Sequence, residues 1–229
     1  ENTSGSILFS LDDKFIFYSK LDENHRPRKI FRHEIGGKNK EDELIFDEKT
    51  EAFTVSIGIS SDEKYYFINS SDHNTSEQYY FKIDEEKPIP KLIQKREKGI
   101  LYNVNSWDGN FYMHTNKNAE DFKIEKTNNI NFDKWETFIP AKSETLIGGL
   151  TFLNDWIIRS EVSNALGKIF VRNLKTNEEE EIIFSDEKVY DGGVSLLQKD
   201  KNTDLIHISY STPKTQSRVY LYNLKTKKK

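Results

Sequence analysis

The sequence contains no cysteine, a single methionine and five prolines in 229 residues. The absence of cysteine excludes disulfides, thiolate metal sites and a cysteine nucleophile. It also fits a reducing compartment, so we expect a cytoplasmic location. No apolar run approaches the ~20 residues that a membrane-spanning helix needs, and residues 1–5 show neither the basic nor the apolar region of a signal peptide. We therefore expect no membrane partner.

The chain also lacks a strong charge of one sign. It has 34 basic and 38 acidic residues, a formal net charge of −4. A nucleic-acid-binding domain normally shows a basic patch or stripe. The basic tail at residues 225–229 is interpreted as a frayed end. The sequence therefore predicts no nucleic-acid partner.

Motifs for nucleophilic catalysis are missing from the sequence. A hydrolase of the α/β class exposes its serine in a Gly-x-Ser-x-Gly turn, and residues 58–62, Gly-Ile-Ser-Ser-Asp, lack the second glycine. Asp72 precedes His73, but neighbouring side chains in a strand or turn usually point apart. We interpret this pair as a turn that hydrogen-bonds its own backbone. No catalytic residue is predicted, so the chain as it stands is not expected to be an enzyme.

Metal and cofactor motifs are missing as well. The histidines are scattered and form no His-x-x-x-His pair; they are His25, His33, His73, His114 and His207. Residues 22–24, Asp-Glu-Asn, do not continue as a calcium-binding loop and are interpreted as a hairpin turn. The glycine pairs at 36–37, 148–149 and 192–193 are isolated, which favours strand starts or bulges over a phosphate cradle. We predict no metal site and no cofactor.

The most informative feature is a long-range repeat in an aromatic-rich sequence, with 15 Phe, 11 Tyr and 3 Trp. A turn with Asp or Asn precedes a short apolar strand five times, and the turns recur at steps of 50, 46, 46 and 50 residues. Asp and Asn suit such turns because their side chains bond the local backbone. The strands are residues 15–18, 65–68, 111–113, 156–158 and 205–208.

A second strand type keeps the same period. Its members begin at residues 29, 78, 121, 168 and 218, and further strands follow at 43–46 and 181–184. Strand units that repeat every ~40–50 residues are typical of propeller blades, which are four-stranded antiparallel sheets. The sequence thus predicts an all-β chain of about five blades.

Three segments have local interpretations. Residues 82–98, which contain Pro88 and Pro90, are expected to form a sheet edge with a loop, since proline is tolerated at edges. Residues 173–177 are predicted to form a hairpin turn, and the acidic run 178–181 a solvated turn. One short helical turn is expected at 133–136.

Three sequence blocks follow one another in order along the chain. In the first, residues 21–27 have the sequence Leu-Asp-Glu-Asn-His-Arg-Pro, and residues 29–33 have Lys-Ile-Phe-Arg-His. The other two blocks are residues 71–77 and 96–104. Together these blocks resemble the propeller of oligopeptidase B, also called protease II, in the prolyl oligopeptidase family of serine peptidases. Beyond about residue 140 the resemblance thins: residues 159–161 are Arg-Ser-Glu where the family has Glu-Arg.

The resemblance implies a seven-bladed propeller beside an α/β-hydrolase domain with a Ser-Asp-His triad, which cuts short peptides after Arg or Lys. Residues 1–229 would then be a partial propeller domain without the catalytic domain. Its role would be to let only short peptides reach the active site of that domain. The implied partner is the hydrolase domain of the same peptidase, if it is encoded separately; basic peptides would be only indirect partners. Missing early blades would leave open sheet edges, so we expect an open arc, association or poor solubility. The alternatives are a stand-alone protein-binding propeller and a truncated remnant without function.

Overall fold

The structure is a computed structural model that describes residues 2–183, 189–197 and 201–229. These residues form nineteen β-strands in five antiparallel sheets, with one turn of 3-10 helix at Asn39–Glu41. None of the helical structure in this part of the chain is long and apolar enough to cross a membrane. The all-β prediction is confirmed.

The strands follow one another in chain order within each sheet. The first sheet contains β1 (Thr3–Phe9), β2 (Phe15–Leu21), β3 (Pro27–Glu34) and β4 (Glu43–Asp47). The second contains β5 (Thr54–Ile59), β6 (Tyr65–Ser71), β7 (Ser76–Lys82) and β8 (Lys91–Gln94). The third contains β9 (Tyr102–Trp107), β10 (Asn110–Thr115), β11 (Lys123–Thr127) and β12 (Glu136–Ile139). The fourth contains β13 (Thr145–Leu153), β14 (Trp156–Ser163), β15 (Leu166–Asn173) and β16 (Glu179–Glu181), and the fifth contains β17 (Asp191–Leu196), β18 (Leu205–Ser211) and β19 (Arg218–Asn223).

The repeat in the sequence is the repeat in the structure. Each of the five strands predicted after an Asp or Asn turn lies in the second strand of a sheet, namely β2, β6, β10, β14 or β18. The first two turns share a local mechanism: Ser10 Oγ donates to Asp12 Oδ1 at 2.7 Å, and Ser60 Oγ donates to Asp62 Oδ1 at 2.8 Å. Equivalent side chains thus close equivalent hairpins 50 residues apart.

The chain divides into two compact units, each with its own apolar core. The first comprises the described residues of Glu1–Lys117 together with Ile124–Phe138. In it, aromatic and β-branched residues fill the space between the first and second sheets and between the second and third. The second unit comprises the described residues of Asn118–Lys123 and Ile139–Lys229, and its core joins the fourth and fifth sheets. Burial of these apolar faces is the main term that stabilises each unit.

Two predictions in the third sheet are wrong in part. The strand expected from residue 121 starts at Lys123, because Phe122 lies in a turn with φ 67° and donates from its backbone N to Ala119 O at 3.0 Å. The helical turn expected at 133–136 is absent. Trp135 instead lies in a segment without regular secondary structure before β12, with its ring stacked on Phe132 and its Nε1 donating to Phe132 O at 3.2 Å. Packing of the indole therefore outweighs local helical preference.

The acidic run was interpreted as a solvated turn, and this is wrong for most of its length. Glu179–Glu181 form β16, paired with β15. The hairpin turn at 173–177 is confirmed, since Asn173 Oδ1 accepts the backbone N–H groups of Lys175 and Thr176 at 2.9 and 3.1 Å. Of the fourth strand predicted at 181–184, residues 182 and 183 lie outside β16, and Phe184 lies outside the described residues.

The basic tail is ordered by a turn, which corrects the expectation of a frayed end. Lys227 N donates to Asn223 O at 2.8 Å, and Asn223 N donates to Lys228 O at 2.9 Å. Lys227 Nζ also donates to Glu180 Oε2 at 2.5 Å. Backbone hydrogen bonds that the sequence pattern does not reveal thus fold residues 225–229 back onto the end of β19.

The proline and glycine predictions are mostly confirmed. Pro88 and Pro90 lie in the loop before β8, which is an edge strand. The pair at 148–149 lies at a register shift between Ile147 and Leu150, as a bulge requires, and the pair at 192–193 lies at the start of β17. The pair at 36–37 differs, because it forms a turn after β3 with φ 86° at Gly36.

Candidate functional site

The serine of the nearest nucleophile-like motif closes a turn. Ser60 is 1% exposed, and its Oγ donates to Asp62 and accepts the backbone N–H groups of Lys64 and Tyr65, both at 3.0 Å. A buried hydroxyl engaged in three hydrogen bonds is not presented to a substrate carbonyl. The chemistry of Ser60 is therefore that of a turn cap.

The candidate acid–histidine pair and the candidate calcium loop are also turns. Asp72 Oδ1 accepts the backbone N–H groups of Asn74 at 2.9 Å and Thr75 at 2.8 Å, while His73 is exposed. In residues 22–24, Asp22 Oδ1 accepts the backbone N–H of Arg26 at 3.0 Å. This hydrogen bond lowers the pKa of Asp22. Within the described residues, no group of three or more His, Asp or Glu side chains is arranged to hold a metal ion.

A buried ion cluster joins the first and second sheets. It consists of Arg96, Glu48 and Glu77 and is called the Arg96 cluster below. Arg96 Nη2 donates to Glu48 Oε2 at 2.7 Å and to Glu77 Oε1 at 3.0 Å, and the backbone N of Arg96 donates to Glu77 Oε2 at 2.8 Å. The guanidinium carbon lies 4.0 Å from the ring centroid of Phe53. The two carboxylates are only 4% and 6% exposed, so their charges are compensated almost entirely by protein groups.

The surroundings of Glu48 keep its carboxylate ionised. Burial by itself raises the pKa, but hydrogen bonds from Ser70 Oγ, the backbone N of Thr50 and Arg96 outweigh burial and lower the pKa of Glu48 to about 2. Burial likewise opposes ionisation of Glu77, and hydrogen bonds from Arg96 and Tyr79 again lower the pKa. Both acids are therefore ionised at neutral pH and face one cation.

The Arg96 cluster was not predicted from the sequence. Glu77 and Arg96 lie in the two later blocks of the resemblance, and Glu48 in neither, so nothing in the residue pattern marks them as partners. Glu48 follows β4, and Arg96 follows β8, at the ends of edge strands of different sheets. Only the face-to-face packing of the sheets brings them together.

A second buried ion cluster lies within the fourth sheet. Arg159 is 3% exposed; its Nε donates to Glu161 Oε1 at 2.8 Å, and its Nη1 and Nη2 donate to the two carboxylate oxygens of Glu179 at 2.8 and 2.9 Å. Lys142 Nζ adds a hydrogen bond to Glu161 at 2.7 Å. Arg159 and Glu161 are the residues at which the resemblance departs from the family pattern, and they pair on one face of β14. Their charges thus stay compensated within this sheet.

A third polar group sits on the first sheet. Tyr18 Oη donates to Asp42 Oδ2 at 2.5 Å, and His33 Nδ1 lies 2.7 Å from Asp42 Oδ1. Burial raises the pKa of Asp42, but the hydrogen bonds from Tyr18 and His33 outweigh it and lower the pKa. The carboxylate orients both neighbours, as in a structural polar network.

A cavity of about 560 Å³ opens between the first and second sheets, inside the first unit. The β1–β2 turn, the starts of β2 and β6, the end of β7 and the loop after β7 form its walls. Its lining residues are Ser10, Asp12, Lys14, Phe15, Phe17, Arg32, Tyr66, Phe81, Ile83, Asp84, Glu85 and Glu86. Aromatic rings with a partly acidic rim can bind a ligand, and no residue of the lining is poised as a nucleophile.

Comparison with known proteins identifies a matching family. The family described as prolyl oligopeptidase, N-terminal beta-propeller domain, matches residues 1–229. Protease 2 of Moraxella lacunata is 29% identical over 227 residues, which cover 98% of this chain and 32% of that protein. Dipeptidyl aminopeptidase BI of Pseudoxanthomonas mexicana is 23% identical over 229 residues, which cover 98% of this chain and 31% of that protein. The chain thus spans about a third of the length of these relatives.

Solved structures share the fold. Oligopeptidase B from Trypanosoma brucei superposes with a TM-score of 0.91 at 24% identity, over 100% of this chain and 34% of that one. Oligopeptidase B from Leishmania major gives a TM-score of 0.89 at 16% identity, over 99% of this chain and 33% of that one. Both similarities cover the five sheets described above and extend to the divergent last two repeats.

Proposed function

The chain belongs to the prolyl oligopeptidase N-terminal β-propeller family, and on this basis we propose that it limits which substrates reach the active site of an oligopeptidase B-like serine peptidase. It is the propeller domain of a peptidase of this family. In the proposed role the propeller carries no reacting group. It excludes folded and long chains from a neighbouring hydrolase domain, which cuts short peptides after Arg or Lys.

A steric filter must be stiff, and the contacts between the second and third sheets support this. The Gln78 side chain brackets Val104 on the facing sheet: its Oε1 accepts Val104 N at 2.7 Å and its Nε2 donates to Val104 O at 3.3 Å. Ser76 Oγ does the same for Tyr102, accepting its backbone N–H at 2.6 Å and donating to its carbonyl at 2.8 Å. Side chains thus extend backbone-like hydrogen bonding from sheet to sheet. Separating the sheets would expose buried polar groups at a substantial free-energy cost.

The Arg96 cluster holds the interface between the first and second sheets in the same way. It ties the first sheet to the second by charge-assisted hydrogen bonds, which are stronger than neutral ones. Two successive joints between sheets are therefore fixed by polar groups as well as by apolar packing. Substrate passage between these sheets would require both kinds of contact to break, which favours exclusion by size.

Catalysis in this proposal lies on the hydrolase domain of the same peptidase, which is the partner of the propeller. The same assignment makes basic peptides indirect partners, since their Arg or Lys side chains would be recognised by that domain. The cysteine-free sequence supports a cytoplasmic site of action. The alternative of a stand-alone binding propeller is favoured by one observation, the 560 Å³ cavity between the first two sheets.

The test combines this chain with the hydrolase domain of the same peptidase. Fluorogenic peptides of increasing length, each with a single Arg, are incubated with the hydrolase domain alone and with the two parts together. We expect the parts to associate and the longest peptides to be protected, while a dipeptide reporter is still cut. Unrelated β-propeller protein at the same concentration is the control. Lack of association, or cleavage of long and short peptides in the same ratio with and without this chain, would refute the filter.

A further inference from the structure

The cavity between the first and second sheets has the size of a ligand site. Its volume of about 560 Å³ lies within the ~300–1,000 Å³ typical of small-molecule pockets. It is built by two sheets whose packing is fixed by the core beneath it. The walls are therefore held in place before any ligand binds.

The floor of the cavity is aromatic. The ring centroids of Phe17 and Tyr66 are 4.7 Å apart, those of Tyr66 and Phe81 are 5.1 Å apart, and those of Phe17 and Phe81 are 6.0 Å apart. All three side chains are at most 3% exposed, so only a small part of each ring borders the cavity. Such a floor is apolar and offers van der Waals contact to a carbon chain.

The rim carries more negative than positive charge. Four carboxylates, those of Asp12, Asp84, Glu85 and Glu86, face two cations, Lys14 and Arg32. Both cations are already paired: Lys14 with Asp12 at 3.1 Å, and Arg32 with Glu43 outside the lining at 2.6 Å. In the part of the chain that the structure describes, no Lys or Arg forms an ion pair with residues 84–86. Their charge is left to attract a cation from solution.

Arg32 shows how this cavity holds a guanidinium group. Its guanidinium carbon lies 4.4 Å from the ring centroid of Phe15, and its Nη2 donates to the backbone carbonyl of Glu86 at 2.8 Å. A ring face, a carbonyl and a carboxylate thus surround one cationic group of the protein itself. The carboxylates of Asp84, Glu85 and Glu86 on the same loop, of which Glu85 Oε1 accepts the backbone N–H of Lys82 at 3.3 Å, offer a second cation charged oxygen partners.

We propose that this cavity binds an organic cation: a guanidinium or ammonium group on a short carbon chain. The carbon chain lies on the floor of Phe17, Tyr66 and Phe81, and the charge lies against the carboxylates of residues 84–86. The source of the group is either a free amine or a basic residue of a short peptide. The proposal does not depend on the peptidase role, because it concerns binding by this chain alone.

Binding is measured by calorimetry on the full chain with three probes. Agmatine supplies a free guanidinium, and acetyl-Gly-Arg-Gly-amide supplies the same group within a peptide. The matched peptide with citrulline in place of Arg has nearly the same shape without the charge. We expect at least one guanidinium probe to saturate the protein at one site, with the citrulline peptide bound at least tenfold more weakly. Agmatine binding identifies a free amine as sufficient, and binding of the peptide alone identifies a peptide ligand.

The rim is tested by substitution. The double variant Glu85→Gln, Glu86→Gln keeps size and hydrogen-bond acceptors and should weaken binding about two- to tenfold, the range expected for two exposed charge pairs. Glu120→Gln, Glu144→Gln removes the same charge from exposed positions elsewhere and should leave the affinity unchanged. The proposal is overturned if neither guanidinium probe saturates, if the citrulline peptide binds equally, or if both double variants weaken binding alike. Because the readout is binding to this chain, these outcomes leave the substrate-filter test unaffected.

Discussion

Glu48 and Arg96, 48 positions apart in the chain, meet at 2.7 Å between Oε2 and Nη2. Each lies just beyond an edge strand of its own sheet, so the contact forms only when the first sheet packs on the second in this arrangement. Glu77 completes the charge balance, and Phe53 covers the guanidinium face. Arg96 is therefore the cation that compensates both buried carboxylates at this interface, beside the apolar core that the two sheets share.

Replacing Arg96 with methionine should destabilise the first unit. The substitution keeps much of the apolar stem but leaves Glu48 and Glu77 buried without their cation. Removing one partner of a buried ion pair costs roughly 3–5 kcal/mol of unfolding free energy. Because the Arg96 side chain is 22% exposed, solvent screens part of the charge, and we expect a loss of about 2–4 kcal/mol. The measurement is the free energy of unfolding in urea at pH 7.

Two further variants make that result specific. Arg218 is exposed, and Arg218→Met should change the unfolding free energy by no more than about 0.5 kcal/mol. Arg96→Lys keeps the charge but loses the planar fork, so its stability should fall between those of the wild type and Arg96→Met. Equal stability of Arg96→Met and Arg218→Met would show that the cluster contributes nothing.

The same cluster predicts a loss of stability in acid. The pKa of Glu48 is lowered in the folded chain from its ordinary value of 4.5 to about 2, and that of Glu77 is lowered as well. A carboxylate with a lowered pKa stabilises the fold above its unfolded pKa, and the contribution is lost as pH falls through the folded pKa. The unfolding free energy should therefore decline between about pH 5 and pH 2.

Arg96→Met is the control for this pH dependence. Without the cation, the pKa of Glu48 should rise toward or above its ordinary value, so the variant should lose less stability on acidification than the wild type does. The difference between the two proteins is then largest near pH 7 and shrinks in acid. Parallel stability curves from pH 7 to pH 2 would contradict the assigned role of Arg96.

Local chemistry explains which parts of the fold were predictable. The turns that precede β2 and β6 depend on the pairs Ser10–Asp12 and Ser60–Asp62. These residues lie within five positions of the strands that follow, so the sequence alone locates the turns. The start of β11 at Lys123 and the irregular segment around Trp135 were mispredicted, because turn geometry decides the first and packing on Phe132 decides the second. Interactions over a few residues leave a pattern in the sequence, whereas packing against distant residues does not.

The polar groups between sheets were unpredictable for the same reason. Gln78 and Val104 are 26 positions apart, and Glu48 and Arg96 are 48 apart. A buried glutamine or glutamate in a strand gives no indication of its partner until the stacking of the sheets is known. The cavity was equally hidden, since Phe17, Tyr66 and Phe81 look like ordinary core residues in the repeat. From the sequence came the class of fold, the resemblance to the oligopeptidase B propeller and the absence of a Gly-x-Ser-x-Gly motif.

Tyr102→Phe should reveal the energetic weight of one such polar contact. The hydroxyl of Tyr102 donates to Gln94 O at 2.5 Å and accepts the backbone N–H of Gln78 at 2.8 Å. Removing it leaves a buried donor and acceptor without their partner, which costs about 1–3 kcal/mol. The check is the midpoint of urea unfolding.

Tyr220→Phe is the matched control, because Tyr220 lies half-buried at the edge strand β19. It removes the same hydroxyl and should shift the unfolding free energy by less than about 0.5 kcal/mol. Tyr102→Phe and Tyr220→Phe with indistinguishable stabilities would mean that the hydroxyl of Tyr102 adds no net stabilisation between the second and third sheets.

The bulge in β13 predicts a sharp difference between two adjacent glycines. A methyl group on Gly148 would lie 2.2 Å from Ser160 Oγ and 3.0 Å from Ser160 O, whereas one on Gly149 would meet no atom within 4 Å. The hydroxyl can rotate away, but the carbonyl belongs to the paired strand β14 and cannot move without disturbing the ladder. Gly148→Ala should therefore cost about 1–2 kcal/mol of unfolding free energy as an overpacking change, and Gly149→Ala at most about 0.5 kcal/mol.

The measurement is the melting temperature of each glycine variant. The double variant Gly148→Ala, Ser160→Ala tests the mechanism, because it lacks the hydroxyl that the methyl group would meet. It should regain part of the lost stability and keep the part of the loss that is due to the carbonyl. Equal melting temperatures for Gly148→Ala and Gly149→Ala would contradict the close approach of β13 to Ser160.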